Sequence, residues 1–113
     1  MGNLQSSTQF YVHATPFQLS GGAVLPEFAL AYEIYGEMNP AKDNVVLLFH
    51  ALSGSQHAAG ENDDPAKALG PLWNQECYSG WWDAFIGPGL AVDTERFCVI
   101  CVNYLGGCYG STG

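Results

Sequence analysis

The stretch Asn44-Val45-Val46-Leu47-Leu48-Phe49-His50-Ala51-Leu52-Ser53-Gly54-Ser55-Gln56-His57 decides how this chain is read. Five apolar residues run into a histidine, and small and polar residues then take over. A continuous apolar run of that length reads as a strand covered on both faces. Its polar, glycine-containing exit reads as the rim of an active site, because open α/β sheets bind ligands outside the carboxyl ends of their strands. A loop of this kind can aim a free backbone N–H at a developing negative charge, as acyl transfer requires. Residues 97–102 have the same apolar character, and about 45 residues separate the two runs. Two such strands joined by a long crossover imply an α/β fold with a parallel sheet.

Upstream, Phe28–Tyr35 alternates. Phe28, Leu30, Tyr32 and Ile34 share one face, and Ala29, Ala31, Glu33 and Tyr35 the other, as in an antiparallel ribbon near a sheet edge. Gly36 and Asn39-Pro40 end it. Residues 17–20 form a short strand candidate followed by a Gly21-Gly22 turn. Residues 1–16 read as a loose leader, and 17–113 as the folded part. Within the crossover, residues 64–69 have an Asp64 N-cap and Pro65 in the first helical position. Residues 81–86 suggest another short helix, ended by Gly87-Pro88-Gly89. Residues 103–113 hold four glycines and read as a loop leaving a strand end.

The 113 residues suffice for one small domain. Apolar residues make up 48%, enough to bury a core, while charged residues make up only 12%, about half the usual share. So few charges leave apolar surface for something else to cover, the mark of a piece of something larger. The net charge is −8, with Lys42, Lys67 and Arg96 the only cations. That excludes nucleic acid and anionic membrane surfaces as partners, since both need clustered Lys and Arg. No apolar stretch reaches the roughly 18 residues of a membrane span. The first eight residues lack the apolar core of a signal peptide, so the expected setting is cytoplasmic, with free thiols.

Several residues could carry chemistry. His50 at the strand end is either a catalytic base, which would need a nucleophile and an orienting acid, or a histidine that hydrogen-bonds to loop backbone and shapes the turn. His57 is read as a loop organiser or surface residue. No H-x-x-x-H or H-E-x-x-H spacing is present, so no metal site is expected; Glu61, Asp63 and Asp64 read as a solvated loop. Cys98 and Cys101 have the C-x-x-C spacing. In a strand, residues three apart face opposite sides, which favours core packing over a zinc or redox pair. Trp81, Trp82 and Phe85 form core or lid packing, or a stacking platform. Ser53, Ser111 and Thr112 do not fit the G-x-S-x-G nucleophile elbow.

The strings Ala31-Tyr32-Glu33-Ile34-Tyr35-Gly36-Glu37-Met38-Asn39-Pro40 and His50-Ala51-Leu52-Ser53-Gly54-Ser55-Gln56-His57-Ala58-Ala59-Gly60 closely resemble the homoserine O-acyltransferases of the α/β-hydrolase fold. So do Gly80-Trp81-Trp82-Asp83, Ile86-Gly87-Pro88-Gly89, Asp93-Thr94-Glu95-Arg96-Phe97 and residues 103–113, in the family's order. The resemblance implies a partial α/β-hydrolase fold: an N-terminal antiparallel ribbon plus the first central parallel strands, an incomplete domain ending before the nucleophile elbow. One sheet edge is then open where the serine strand would pair.

The resemblance also implies a chemistry. The parent would be a homoserine O-acetyltransferase of L-methionine biosynthesis, moving acetyl from acetyl-CoA to a serine and then to L-homoserine. Homoserine O-succinyltransferase, serine O-acetyltransferase and a non-catalytic truncated interaction protein are the alternatives. No residue here matches the family's catalytic Ser, Asp or His, so the chain alone would be inactive. The Leu52 backbone N–H corresponds to one oxyanion-hole donor, with the leucine side chain plugging the pocket floor. His50, Ala51, Ser53, Gly54, Gly106 and Gly107 shape the pocket. No bound cofactor is expected, acetyl-CoA and L-homoserine being substrates, and the parent would be a homodimer.

Overall fold

The computed structural model describes residues 4–52, 54–62, 79–107 and 109–112. Ser53, the candidate helix at 64–69, Asp63, Asp64, Cys77, Cys108 and Gly113 lie outside the described residues.

The chain opens with β1 (Gln5–Ser6), β2 (Gln9–His13), β3 (Phe17–Gln18), β4 (Val24–Leu25) and β5 (Phe28–Tyr35). It continues with β6 (Val45–Leu48), β7 (Glu61–Asn62), β8 (Ile86–Gly87), β9 (Val92–Asp93) and β10 (Cys98–Val102). The main sheet has the order β2-β5-β10-β6. Strands β2 and β5 pair antiparallel, as do β5 and β10, whereas β10 and β6 run parallel. The two apolar runs thus lie side by side and parallel, as their composition implies.

Register sets the two faces. Val99 lies opposite Tyr35 and Val46, and Cys101 opposite Glu33 and Leu48. This face is covered: Tyr35, Val99 and Cys101 pack with Ala58, Ala59 and Ile86 in one buried cluster, flanked by Leu4, Val46, Leu48 and Val92. Cys98 is also buried, one strand face away, and both thiols are free. Burial pushes both thiols up, that of Cys101 to about 12, with the neighbouring Glu33 adding to the rise. These are packed core thiols.

The opposite face is open among the described residues. Ile100 lies between Ile34 and Leu47 in register, yet Ile34, Leu47 and Phe49 are exposed. Phe17, Phe28, Leu30, Leu47, Phe49 and Tyr104 line an apolar groove of about 400 Å³ there. Among the described residues, then, the 45–49 run is covered on one face only. Strand β6 is an edge strand with one bare face, because no described element packs on it.

Two further expectations are corrected. Residues 1–16 are not a loose leader throughout: β1 pairs with β7, β2 extends the main sheet, and Ser6 is buried. Backbone pairing with β5 holds this segment regardless of its polar composition. Strand β5 pairs antiparallel with the edge strand β2, the ribbon near a sheet edge that its alternation implies. Residues 81–86 are not a helix. The chain makes one turn in which Trp82 O accepts from both Phe85 N and Ile86 N, then enters β8. So short a segment gains too few bonds to offset helix nucleation.

The hairpin β3–β4 closes at the expected Gly21-Gly22 turn, where Gly22 takes φ 96°. Gly36 ends β5 with φ 82°, and a Cβ there would run into the carbonyl oxygens of Phe97 and Thr94. Only glycine suits both demands.

Candidate functional site

Strands β6 and β10 are parallel neighbours, so their exit loops emerge together at the carboxyl end of the sheet. The two loops clasp each other. Tyr104 O–H donates to the His50 carbonyl at 2.7 Å, and its backbone N–H lies 3.4 Å from His50 Nε2. The two rings stack with centroids 4.0 Å apart. Since Nε2 accepts, the proton sits on Nδ1, which donates to the Ala51 carbonyl at 2.6 Å. His50 is buried with both ring nitrogens engaged by loop backbone. Of its two readings, this geometry is that of a turn-shaping histidine.

Beyond His50 the chain turns sharply, and Gly54 N–H donates to Ala51 O at 2.8 Å. A Cβ on Gly54 would meet the His50 Cβ at 3.0 Å, so the turn is compact. Leu52 is at its tip. Among the described residues its side chain is 100% exposed. Its N–H has no acceptor among the described residues, so it is available to an outside anion. On the β10 loop, Gly106 (φ 81°) donates to Thr112 O, and Gly107 presses on the Asn103 side chain. The Ser111 hydroxyl accepts from Ala31 N–H and donates to Asn103 O. It braces the loop against β5.

The downstream half of the first loop is sewn to a buried polar cluster absent from the sequence reading. Glu33 projects from β5 into the covered face with no exposure. Its Oε1 accepts from Tyr35 O–H at 2.8 Å and faces His57 Nδ1 at 3.0 Å, and its Oε2 accepts from Thr8 O–H at 3.0 Å. Ser6 Oγ lies 3.3 Å from the same His57 nitrogen. The Tyr35 oxygen in turn accepts from the backbone N–H groups of Ala58 and Ala59. Burial and Glu33 hold the Tyr35 hydroxyl well above its ordinary range, so it stays protonated as a donor. Gln56, also fully buried, donates to Thr8 and accepts from Asn103 Nδ2. Trp81 Nε1–H caps the Ser55 carbonyl, and Asp83 accepts from Gly60 N–H.

His57 is thus a buried partner of Glu33 that organises the loop from inside, not a surface residue. The Glu33-x-Tyr35 spacing on one strand face was the available signal, since both side chains must point the same way. Trp81, Trp82 and Phe85 stack in a tilted row and are each partly exposed. Among the described residues there is no cluster of three or more candidate metal ligands, and no helix long and apolar enough to cross a membrane.

No protein-family model matches the chain. Curated relatives do. A homoserine O-succinyltransferase of Hydrogenovibrio crunogenus is 48% identical over 100 residues, covering 88% of this chain and 23% of that protein. A homoserine O-acetyltransferase of Moorella thermoacetica is 44% identical over 107 residues, covering 95% and 26%. Among solved structures, an esterase superposes with TM-score 0.77 at 33% identity, covering 96% of this chain and 28% of the esterase. The homoserine O-acetyltransferase of Bacillus anthracis gives 0.69 at 31%, covering 88% and 23%. The chain spans about a quarter of the length of these relatives. Sheet order, exit loops and structural neighbours together define part of an α/β-hydrolase-fold domain. Within that class, the chain is homologous along nearly its whole length to the homoserine O-acyltransferases.

Proposed function

We propose that this chain is the N-terminal segment of a homoserine O-acetyltransferase and contributes half of its oxyanion hole through the Leu52 N–H. The parent reaction is ping-pong transfer of acetyl from acetyl-CoA to a serine and then to L-homoserine. The nucleophile, its histidine and its aspartate lie outside these residues, so the segment alone does not turn over. The observation that carries the reading is the Leu52 N–H, which has no acceptor among the described residues and sits at the tip of a turn beyond a parallel strand. As the attacked thioester carbonyl becomes tetrahedral, its oxygen gains negative charge. A fixed N–H meets that charge without reorganising. His50, Ala51, Ser53, Gly54, Gly106 and Gly107 shape the pocket mouth around it. The setting is cytoplasmic and the parent a homodimer.

Relatives named for acetyl and for succinyl transfer match at similar identity, so succinyl-CoA is the specific rival donor. The test gives the full-length protein acetyl-CoA or succinyl-CoA with L-homoserine or L-serine. Free CoA thiol is followed, and the product is identified by mass. O-acetylhomoserine as the main product is expected. Succinyl transfer as the main activity would replace the donor, and no transfer from either donor would overturn the reading.

A further inference from the structure

We infer that the buried Glu33–Tyr35–His57 cluster is a positioning device that fixes the Leu52 N–H for transition-state binding. This inference rests on the oxyanion role proposed for Leu52. The turn carrying Leu52 hangs between two anchors. Upstream, His50 is clasped by Tyr104. Downstream, Gln56 to Ala59 are bound at every step. Gln56 O and the N–H groups of Ala58 and Ala59 meet the Tyr35 hydroxyl, and the His57 ring meets Glu33 and Ser6. The Gln56 side chain spans Thr8 and Asn103. The groups facing the cluster come from four places: Ser6 on β1, Thr8 before β2, Cys101 and Asn103 at the end of β10, and Gln56 on the loop itself.

The Glu–His pair has the composition of a catalytic dyad but the wrong location. The His57 and Glu33 side chains are 1% and 0% exposed, so no substrate atom reaches them. They act through the backbone they hold. Only a few residues separate Leu52 from Gln56, and Gly54 N–H locks the turn between them. A shift of the downstream anchor is therefore passed to the Leu52 N–H, and misplacing a reacting group by about 1 Å can cost about 100-fold in rate.

The experiment uses the full-length enzyme with acetyl-CoA and L-homoserine, and p-nitrophenyl acetate as a second acyl donor. His57→Ala removes the ring. His57→Asn returns an N–H donor near the place of Nδ1. Glu33→Gln keeps the shape and alters the acceptors. For His57→Ala and Glu33→Gln, kcat is expected to fall about 10- to 100-fold per folded molecule, with the KM for the acyl donor within about twofold. The acylation burst should slow in parallel, and His57→Asn should recover most of the loss. A merely structural cluster would lower Tm and leave kcat per folded molecule within twofold of wild type, and that result overturns the proposal. So does failure of both His57→Ala and Glu33→Gln to fold, which would make the cluster a folding element. A wild-type enzyme that cleaves the ester but never acylates homoserine would refute the substrate assignment alone. The burst would still report on the anchor.

Discussion

Replacing Tyr35 by phenylalanine isolates one oxygen atom in the buried cluster. The ring stays against Val99 and Ile86, so the core keeps its volume. What is lost is a hydroxyl that accepts from Ala58 N–H at 2.9 Å and Ala59 N–H at 3.2 Å while donating to Glu33 Oε1 at 2.8 Å. Ala58 N–H retains a second acceptor, Gln56 O at 3.0 Å. Ala59 N–H, fully buried, has no other acceptor among the described residues. One orphaned buried donor costs about 1–3 kcal/mol, and the bond lost by Glu33 adds about 1 kcal/mol. The expected destabilisation of the loop is about 3 kcal/mol, or roughly a 100-fold rise in local opening. Hydrogen exchange on the peptide carrying Ala58 and Ala59 reads this directly in the full-length protein. Tyr32→Phe is the control, because the Tyr32 hydroxyl meets Gln9 at the surface; it should change exchange by less than about twofold. Equal protection in Tyr35→Phe and Tyr32→Phe would refute the reasoning, since the Tyr35 oxygen would then not be holding the loop.

Other expected outcomes follow from single sites. Leu52→Ala should leave stability within about 0.5 kcal/mol, because the side chain is fully exposed. Leu52→Pro, which deletes the N–H, should lower kcat about 100- to 1000-fold; steady-state kinetics separates the two. Gly80→Ala places a Cβ on the backbone of Ala58 and Ala59, whereas a Cβ on Gly21 meets nothing within 4 Å. Denaturant melts should show a loss of at least about 1–3 kcal/mol for the first and almost none for the second. The protonated Cys101 thiol and Tyr35 hydroxyl are favoured by the fold over their ordinary values of 9.0 and 10.0. The folded state then holds protons that the unfolded chain releases. Their stabilisation is complete below about pH 9 and is lost as pH rises towards about 12. The urea midpoint should fall from about pH 8.5 to 10.5, less steeply in Cys101→Ala, and an equal slope in both proteins would count against it. The 113-residue chain alone should self-associate through the open β6 edge and the exposed Leu47 and Phe49; light scattering showing a monomer with a cooperative melt would contradict this.

The sheet was legible in the sequence where backbone and side-chain preferences agree. The run Val45 to Phe49 and the stretch Cys98–Val102 are both continuously apolar, and they became the parallel pair. Alternation in Phe28–Tyr35 marked a strand and sorted its two faces, but did not say which one is covered. The apolar set Leu30, Tyr32 and Ile34 lies on the open side, while Ala31, Glu33 and Tyr35 are buried. Hydrophobic periodicity ranks a glutamate and a tyrosine as solvent-facing. Their burial depends on donors supplied by Thr8 and His57, 25 and 24 residues away, and no local window contains those. Gln9–His13 was missed for a related reason. Its place in the sheet comes from backbone bonds to β5, to which composition is nearly blind.

The same argument explains why this cluster is polar. Apolar residues of similar volume could fill the space behind the loop at little cost and often with a gain in stability. Apolar contacts are non-directional, however, and would leave the loop backbone free to slide or rotate. The Tyr35 hydroxyl donates to Gln56 O and accepts from the N–H groups of Ala58 and Ala59, so these bonds act on the backbone itself. They fix where each peptide unit points, and the unit on which the proposed acyl transfer relies is the Leu52 N–H a few residues upstream. Directional control of a backbone donor needs directional bonds beneath it. A buried carboxyl held by tyrosine, histidine and threonine provides them on the rigid floor of a four-stranded sheet.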